Sequence, residues 1–325
     1  MTPNLEPAKV KSDSGYVSGP EAQPDANPYE ALIKRGNDQP DRIQAIYATH
    51  RTNRNAQQRE RFLASDYSGL AIDPVLLRLE NPEIEPGFKD TRNCLVFWAR
   101  PPDHVVKLAC HLQHLLKTAA PDLWLMPAHR MHMTTLEVTH SRTPDEISDL
   151  VSRIRPAIPA LTNITYTHRS RLVKPMISYD LSAVAVSFLP AAGERVLSPT
   201  LRARRHGEHV SATPGDGYTY HHLRRDVYDL LETTGVEVDS RYVLPSAHIT
   251  LARYLTPRDH DTPEKRAAWI RTIEEINKWL ETEVWYNDHG EFIGEWMVGQ
   301  ERGLDARSGT LWYGGGRTLM GGEGF

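Results

Sequence analysis

Apolar positions are densest after residue 93. Cys94-Leu95-Val96-Phe97-Trp98-Ala99 is a continuous apolar run, which predicts a strand buried on both faces. Pro101-Pro102-Asp103 then opens a helix whose stripe is Val105, Val106, Leu108, Ala109, Leu112, Leu115 and Leu116. Ala120-Pro121 stops it. An extended stretch begins at Leu123 and runs through Met131-His132-Met133-Thr134-Thr135-Leu136-Glu137-Val138. Thr143-Pro144-Asp145-Glu146 caps the next helix, which carries Ile147, Leu150, Val151 and Ile154.

The same plan recurs further on. Residues 183–189 are a second apolar strand. Residues 220–231 form a helix with Leu223, Val227, Leu230 and Leu231 on one side, capped by Gly235. Residues 243–252 form the next strand, containing His248-Ile249-Thr250. Thr262-Pro263-Glu264 caps a helix carrying Ala267, Ile270, Ile273, Ile276, Trp279 and Leu280. Strand, helix, and strand with His-x-Thr therefore occur twice. Cys94 to His132 spans 38 positions, and Ala183 to His248 spans 37 once the irregular, Gly- and Pro-containing segment 191–218 is set aside. An internal repeat of this size is a property of the fold.

Around this core lie less regular parts. Residues 1–27 are rich in Pro, Ser and Gly and read as a disordered tail. Residues 28–92 read as a helical and loop extension. Its main helix starts at Pro40-Asp41-Arg42 with Ile43, Ile46 and Tyr47 on the buried side; the polar segment 51–61 is expected outside the core. Residues 93–325 form the main domain. Residues 292–298 and 310–313 predict a closing strand pair, with Trp312 and Tyr313 on opposite faces.

Composition narrows the function. Hydrophobic residues are 39% of the 325 and charged residues 25%, enough for a packed core. The formal net charge of −4 speaks against coating long nucleic acid, which needs many Lys/Arg–phosphate contacts. No apolar run reaches the ~18 residues of a membrane span, and the polar N-terminus has no secretory apolar region. Cys94 and Cys110 fall in apolar segments and read as buried free thiols, which points to a reducing, cytoplasmic location.

The chemistry sits in the two repeated strands. Residues i and i+2 of a strand face one side, so His132 points with Thr134 and His248 with Thr250. Paired by a pseudo-two-fold axis, the four side chains line one cleft. One imidazole can accept a proton from a nucleophile while the other donates to a leaving oxygen, and the hydroxyls can hold non-bridging phosphate oxygens. A histidine on an apolar strand is ordinarily a satisfied core residue; the matching strand–helix unit before each copy is what distinguishes these two.

His132-Met133-Thr134-Thr135-Leu136 and His248-Ile249-Thr250-Leu251-Ala252 resemble the two signature motifs of the 2H phosphoesterase superfamily, of the cyclic nucleotide phosphodiesterase and RNA-ligase-like type. The resemblance covers residues 93–313. It implies an α+β, bilobal fold with two antiparallel sheets around a central cleft. It also implies action on 2′,3′-cyclic phosphates, RNA ends or ADP-ribose cyclic phosphate without metal or cofactor. Carried over, His132 and His248 are the acid–base pair and Thr134 and Thr250 hold phosphate. Thr135 departs from the apolar residue usual at that position. Segment 191–218, with Arg202, Arg204, Arg205, His206 and His209, reads equally as a lid over a phosphate or as a surface loop.

Other residues fall under the same rules. Trp312 or Tyr313 can stack on a base or pack in the core; Tyr313 is the candidate substrate contact. His111/His114 and His129/His132 have metal-like spacing but no third ligand. Lys174, Tyr179 and Arg253 are further candidates for substrate contact, and Arg253, three residues past Thr250, is expected on the opposite strand face. The reading is a metal-independent cyclic phosphodiesterase acting on a nucleotide or RNA end. The alternatives are acid–base catalysis on a non-phosphate small molecule, as an isomerase or lyase, and a non-catalytic RNA- or nucleotide-binding protein.

Overall fold

The computed structural model describes residues 27–197, 216–239 and 243–325. Residues 1–26 of the expected tail, and Arg202, Arg204, Arg205, His206 and His209 of the insertion, lie outside the described residues. Asn27 itself belongs to the fold: it is buried, and its amide donates to the Asp229 carboxylate at 2.7 Å.

Two antiparallel sheets carry the molecule. The first has four strands in the order β3-β1-β8-β9, and the second has five in the order β2-β6-β5-β4-β7. β1 is Asn93–Ala99, β2 Leu123–Leu125, β3 Met133–Arg142, β4 Arg171–Tyr179, β5 Ala183–Pro190, β6 Ala247–Tyr254, β7 Glu295–Met297, β8 Arg302–Gly309 and β9 Arg317–Glu323. This fits the bilobal α+β fold that the resemblance implies. β1 is buried on both faces as its sequence requires. Leu95, Phe97 and Ala99 enter the main core, while Cys94, Val96 and Trp98 form a second cluster with Leu311.

The described helices are α1 (Glu30–Arg35), α2 (Pro40–Leu63), α3 (Pro74–Glu80), α4 (Asp103–Ala119), α5 (Pro144–Ile154), α6 (Ile158–Asn163), α7 (Tyr220–Glu232) and α8 (Pro263–Trp279). α5 begins with the expected capping box. The Thr143 hydroxyl accepts from the Glu146 amide, and the Glu146 carboxylate accepts from the Thr143 amide at 2.8 Å. The Thr262 hydroxyl caps α8, and Pro263 follows it where no amide donor is needed.

The two repeat units exchange their helices. β1 pairs with β3, and β5 with β6, each antiparallel. Yet α4, from the first unit, packs on β6, while α7, from the second, packs on β3. Each helix therefore buries its apolar stripe against the other unit's motif strand.

Several expectations are corrected. The extended stretch from Leu123 is not continuous: a 3-10 turn at Ala128–Arg130 lets β2 join the second sheet and β3 the first. The closing hairpin is β8–β9, one step later than expected. β7 pairs with β4 in the other sheet, and Trp312 and Tyr313 sit in the turn between β8 and β9. β8 escaped notice because only Leu304 and Ala306 face the core, between the polar Asp305 and Arg307. Cys94 is buried, but Cys110 is exposed, because it lies off the stripe of α4. The polar segment 51–61 continues α2, and two of its residues, Arg51 and Gln58, are buried.

Candidate active site

β3 and β6 lie against one another, and each carries a β-bulge at the same place relative to its motif. In β3, Thr134 stands opposite Trp98 and Leu136 opposite Phe97, so Thr135 is an extra residue. In β6, Thr250 stands opposite Ala185 and Ala252 opposite Val184, so Leu251 is the extra residue. The residue following each motif threonine is thus the bulge. A bulge leaves its backbone groups outside the ladder, where burial makes an unpaired carbonyl costly. Both carbonyls are taken by a polar side chain of an exchanged helix. Gln113 of α4 donates to the Leu251 carbonyl at 2.8 Å, as does the Met126 amide at 2.9 Å. Arg224 of α7 donates to the Thr135 carbonyl at 3.2 Å.

Arg224 also ties the two motif strands together. Its fully buried guanidinium donates to the Leu244 carbonyl, in the segment leading into β6, at 2.7 Å, and to the Tyr29 hydroxyl at 3.3 Å. The Tyr220 hydroxyl, one turn earlier on α7, donates to the Thr134 carbonyl at 2.8 Å.

His132 lies immediately before β3. Its ring stacks on Trp98, with centroids 3.7 Å apart and planes within 16°. Nδ1 is 2.8 Å from the Arg130 carbonyl. A carbonyl can only accept, so Nδ1 carries the hydrogen and the neutral ring presents a lone pair at Nε2. Protein atoms crowd both imidazoles, although each keeps some accessible surface. Burial is the main cause that lowers His132 to about 3; the Arg130 carbonyl opposes this, and the charges of Arg100, His248 and Arg307 add to it. His248 is lowered to about 4, again mainly by burial, then by Arg54, with Asp180 opposing. The two imidazoles are therefore neutral near pH 7, and a charge on His248 disfavours protonation of His132. His248 Nδ1 is 3.0 Å from the Ser246 hydroxyl, a group that can donate or accept.

A cleft of about 250 Å³ opens beside the second motif. Its lining includes His248, Thr250 and Arg253 of β6, Ser178 and Tyr179 of β4, and Arg51 and Arg54 of α2. His132 and Thr134 are not part of that lining. They stand on the first-sheet side of the β3–β6 junction, and His132 reaches His248 through its charge. Arg253 is the main correction at the site. Strict alternation put it opposite Thr250, but the bulge at Leu251 reverses the phase: Leu251 and Ala252 are both buried, and Arg253 returns to the half-exposed face of His248 and Thr250. Its Nε is buried without a hydrogen-bond partner. No rule of spacing finds such a residue, because the bulge is defined by the count on the partner strand.

The remaining candidates are placed elsewhere. Tyr313 is buried and does not line the cleft. Its hydroxyl donates to the Asp73 carboxylate at 2.5 Å and accepts from Arg92 at 2.9 Å, and its ring packs edge-on to Trp124. The Lys174 ammonium is paired with Glu194 at 2.6 Å. His111 stacks on Phe292, and His129 lies on the 3-10 turn before His132. Among the described residues no group of three or more His, Cys, Asp or Glu is arranged to hold a metal ion, and no helix is long and apolar enough to cross a membrane. The described ends of the insertion are pinned by buried Arg171, which donates to the Glu194 carbonyl and pairs with Asp216, each at 2.6 Å.

No family model and no curated protein matches the chain. Among solved structures it is similar to TT0787 of Thermus thermophilus, at 17% identity over 70% of this chain and 96% of that one, with a TM-score of 0.37. It is also similar to Usb1 of Kluyveromyces marxianus, at 13% identity over 71% and 98% of the two chains, with a TM-score of 0.34.

Proposed function

We propose that the protein is a metal-independent phosphodiesterase of the 2H type, which opens a 2′,3′-cyclic phosphate on a nucleotide or RNA end. The observation that carries this reading is the equivalence of the two motif strands. Each presents a histidine and a threonine before a bulge in the same position, and each bulge is held by the helix of the other unit. A core histidine needs no such duplicated support.

In this reading the phosphate sits between the two motifs, with Thr134 and Thr250 donating to its non-bridging oxygens. A water attacks phosphorus and gives its proton to the Nε2 lone pair of His132. The bond from phosphorus to one ribose oxygen breaks, and that oxygen takes a proton from His248. His248 is neutral in the free protein, so it acquires this proton from solvent when the phosphate anion enters and offsets the effect of burial. The Ser246 hydroxyl suits that change, since it can accept from Nδ1–H of the imidazolium. Arg253, on the same face, supplies fixed positive charge for the developing charge on the phosphoryl oxygens.

The test is turnover of a panel of 2′,3′-cyclic nucleotides and short RNAs with cyclic-phosphate ends, in EDTA, by the wild type and by His132→Ala and His248→Ala. The expected result is EDTA-resistant ring opening that both substitutions abolish. Folded wild-type protein that opens no cyclic phosphate would sink the proposal and turn attention to non-phosphate acid–base chemistry.

A further inference from the structure

We propose that α2 builds a second anion subsite beside His248, formed by Arg51 and Arg54, which takes a non-scissile phosphoryl group on the 5′ oxygen of a nucleoside 2′,3′-cyclic phosphate. This rests on the phosphodiesterase reading of His248 and names the class of substrate that reading left open.

α2 lies outside residues 93–313, which carry the two motifs, yet it forms a wall of the cleft. Tyr47, His50, Arg51 and Arg54 follow the spacing of one helical face, and all four line the cavity. Among the described residues, the charged groups of that lining are three guanidiniums, of Arg51, Arg54 and Arg253, against the single carboxylate of Asp180. The whole chain has a net charge of −4, so this concentration of positive charge is local.

Arg51 is the strongest element. It is 7% exposed and donates to the carbonyls of Lys174 at 2.8 Å and Ser187 at 3.2 Å. Both partners are neutral. Its Nε is buried with no hydrogen-bond partner, and the guanidinium lies over the neutral Trp285 ring at 5.9 Å. Burial lowers it to about 10, and the charge of Glu281 opposes this only in part, as expected of a guanidinium without a contacting counterion. An anionic ligand would supply that counterion. Arg54 is available in a different way. It is paired with Asp180 at 2.6 Å, but the other oxygen of that carboxylate already accepts from the Ser182 amide, the Ser182 hydroxyl and the Ala183 amide. When Arg54 swings to a phosphate, Oδ1 of Asp180 keeps those three donors and Oδ2, on a side chain 29% exposed, is left to water.

The position separates this anion from the scissile one. A phosphate shared by His248 and His132 lies toward β3, which meets the second sheet at β6. α2 instead packs over β5 and β4, one to two strand spacings away, roughly 5–10 Å. A ribose bridges such a gap between its cyclic phosphate and its 5′ oxygen.

The experiment compares three substrates with the full chain: uridine 2′,3′-cyclic phosphate, its 5′-phosphorylated form, and a dinucleotide ending in the cyclic phosphate. Each is tested with wild type and with Arg54→Gln, and binding of uridine 5′-phosphate against uridine is measured by calorimetry on the same proteins. The expected wild-type preference for a 5′-phosphoryl group is roughly tenfold to a hundredfold in kcat/KM, the scale of one charge-assisted hydrogen bond. Arg54→Gln also removes a charge that lowers His248, so the readout is the ratio of kcat/KM with and without the 5′-phosphoryl group within each protein, which should fall most of the way to one in Arg54→Gln. Preference for the monoester assigns the subsite to free nucleotides, and preference for the dinucleotide assigns it to RNA ends; either supports it. No preference, or an equal loss on all three substrates, overturns it. Tighter binding of uridine 5′-phosphate than of uridine, lost in Arg54→Gln, with no turnover of any substrate, would keep the subsite and overturn the phosphodiesterase reading instead.

Discussion

Arg224→Met tests whether α7 holds the two motif strands in place. Arg224 is fully buried and donates to the carbonyls of Thr135 and Leu244 and to the hydroxyl of Tyr29. Methionine fills much of the same volume but donates nothing. Two buried carbonyls then lose a donor, at about 1–3 kcal/mol each. The removal of a buried charge returns part of its desolvation cost, so the net expectation lies below that sum of about 2–6 kcal/mol, at about 1–5 kcal/mol. An unfolding entropy of about 2.1 cal/mol/K per residue gives roughly 0.7 kcal/mol/K for a chain this long, so Tm should fall by about 1–7 °C. Activity should fall further than stability does. The Thr135 bulge loses its anchor, and a shift of about 1 Å in Thr134 or His132 is enough for a hundredfold loss. Gln113→Leu is the comparison on the other strand: it removes one of two donors to the Leu251 carbonyl, which keeps the Met126 amide, and should lower kcat less than Arg224→Met does while leaving the first strand untouched. The assays are thermal unfolding and cyclic-phosphate turnover, both below the new Tm. An Arg224→Met protein with unchanged Tm and unchanged kcat would refute the idea that the bulge carbonyls need these donors.

Other predictions follow from the same geometry. His132 and His221 are lowered to about 3, and His248 and His260 to about 4, each mainly by burial. The unfolded chain therefore binds more protons than the folded one below about pH 6.5, so stability should drop as pH falls from 6.5 toward 4 and this contribution should level off below about pH 3. Urea midpoints across that range check it; a flat profile contradicts the burial of these rings. Trp98→Leu removes the surface on which His132 stacks and should lower kcat tenfold or more with little change in KM; an unchanged kcat would mean that the stack does not position the ring. Arg253→Met should lower kcat/KM for a cyclic phosphate by roughly tenfold to a hundredfold, mainly through kcat, and change Tm little, since the buried Nε it removes has no hydrogen-bond partner; a large Tm loss would assign Arg253 to the fold.

The parts that were legible in the sequence are those where a local signal and the tertiary outcome agree. The β1 run, the stripe of α4, the capping box of α5 and the paired His-x-Thr strands each announce themselves within ten to twenty residues. What was not legible depends on partners distant in sequence. The bulges at Thr135 and Leu251 exist only relative to β1 and β5, so period-two reasoning sent Arg253 to the wrong face. Arg51 and Gln58 sit in a polar run that reads as surface, yet α2 lies against β4 and β5, and Arg51 reaches carbonyls there. β8 hides because half of its residues face polar neighbours. Arg100 and Arg307 both approach Asp305, at 2.9 and 3.7 Å. The exchange of α4 and α7 between units has no local signature at all; it is set by which apolar stripes fit which motif strand.

The central claim is that His132 and His248 act as one catalytic unit on one phosphate, although only His248 lines the cleft. A double-mutant cycle measures this directly: kcat/KM on a 2′,3′-cyclic nucleotide for His132→Ala, His248→Ala and both together. If the two rings serve the same transition state, each single substitution costs nearly as much as the double. Losses that multiply, or a His132→Ala protein that retains wild-type turnover, would contradict the account and leave His248 to work without its partner.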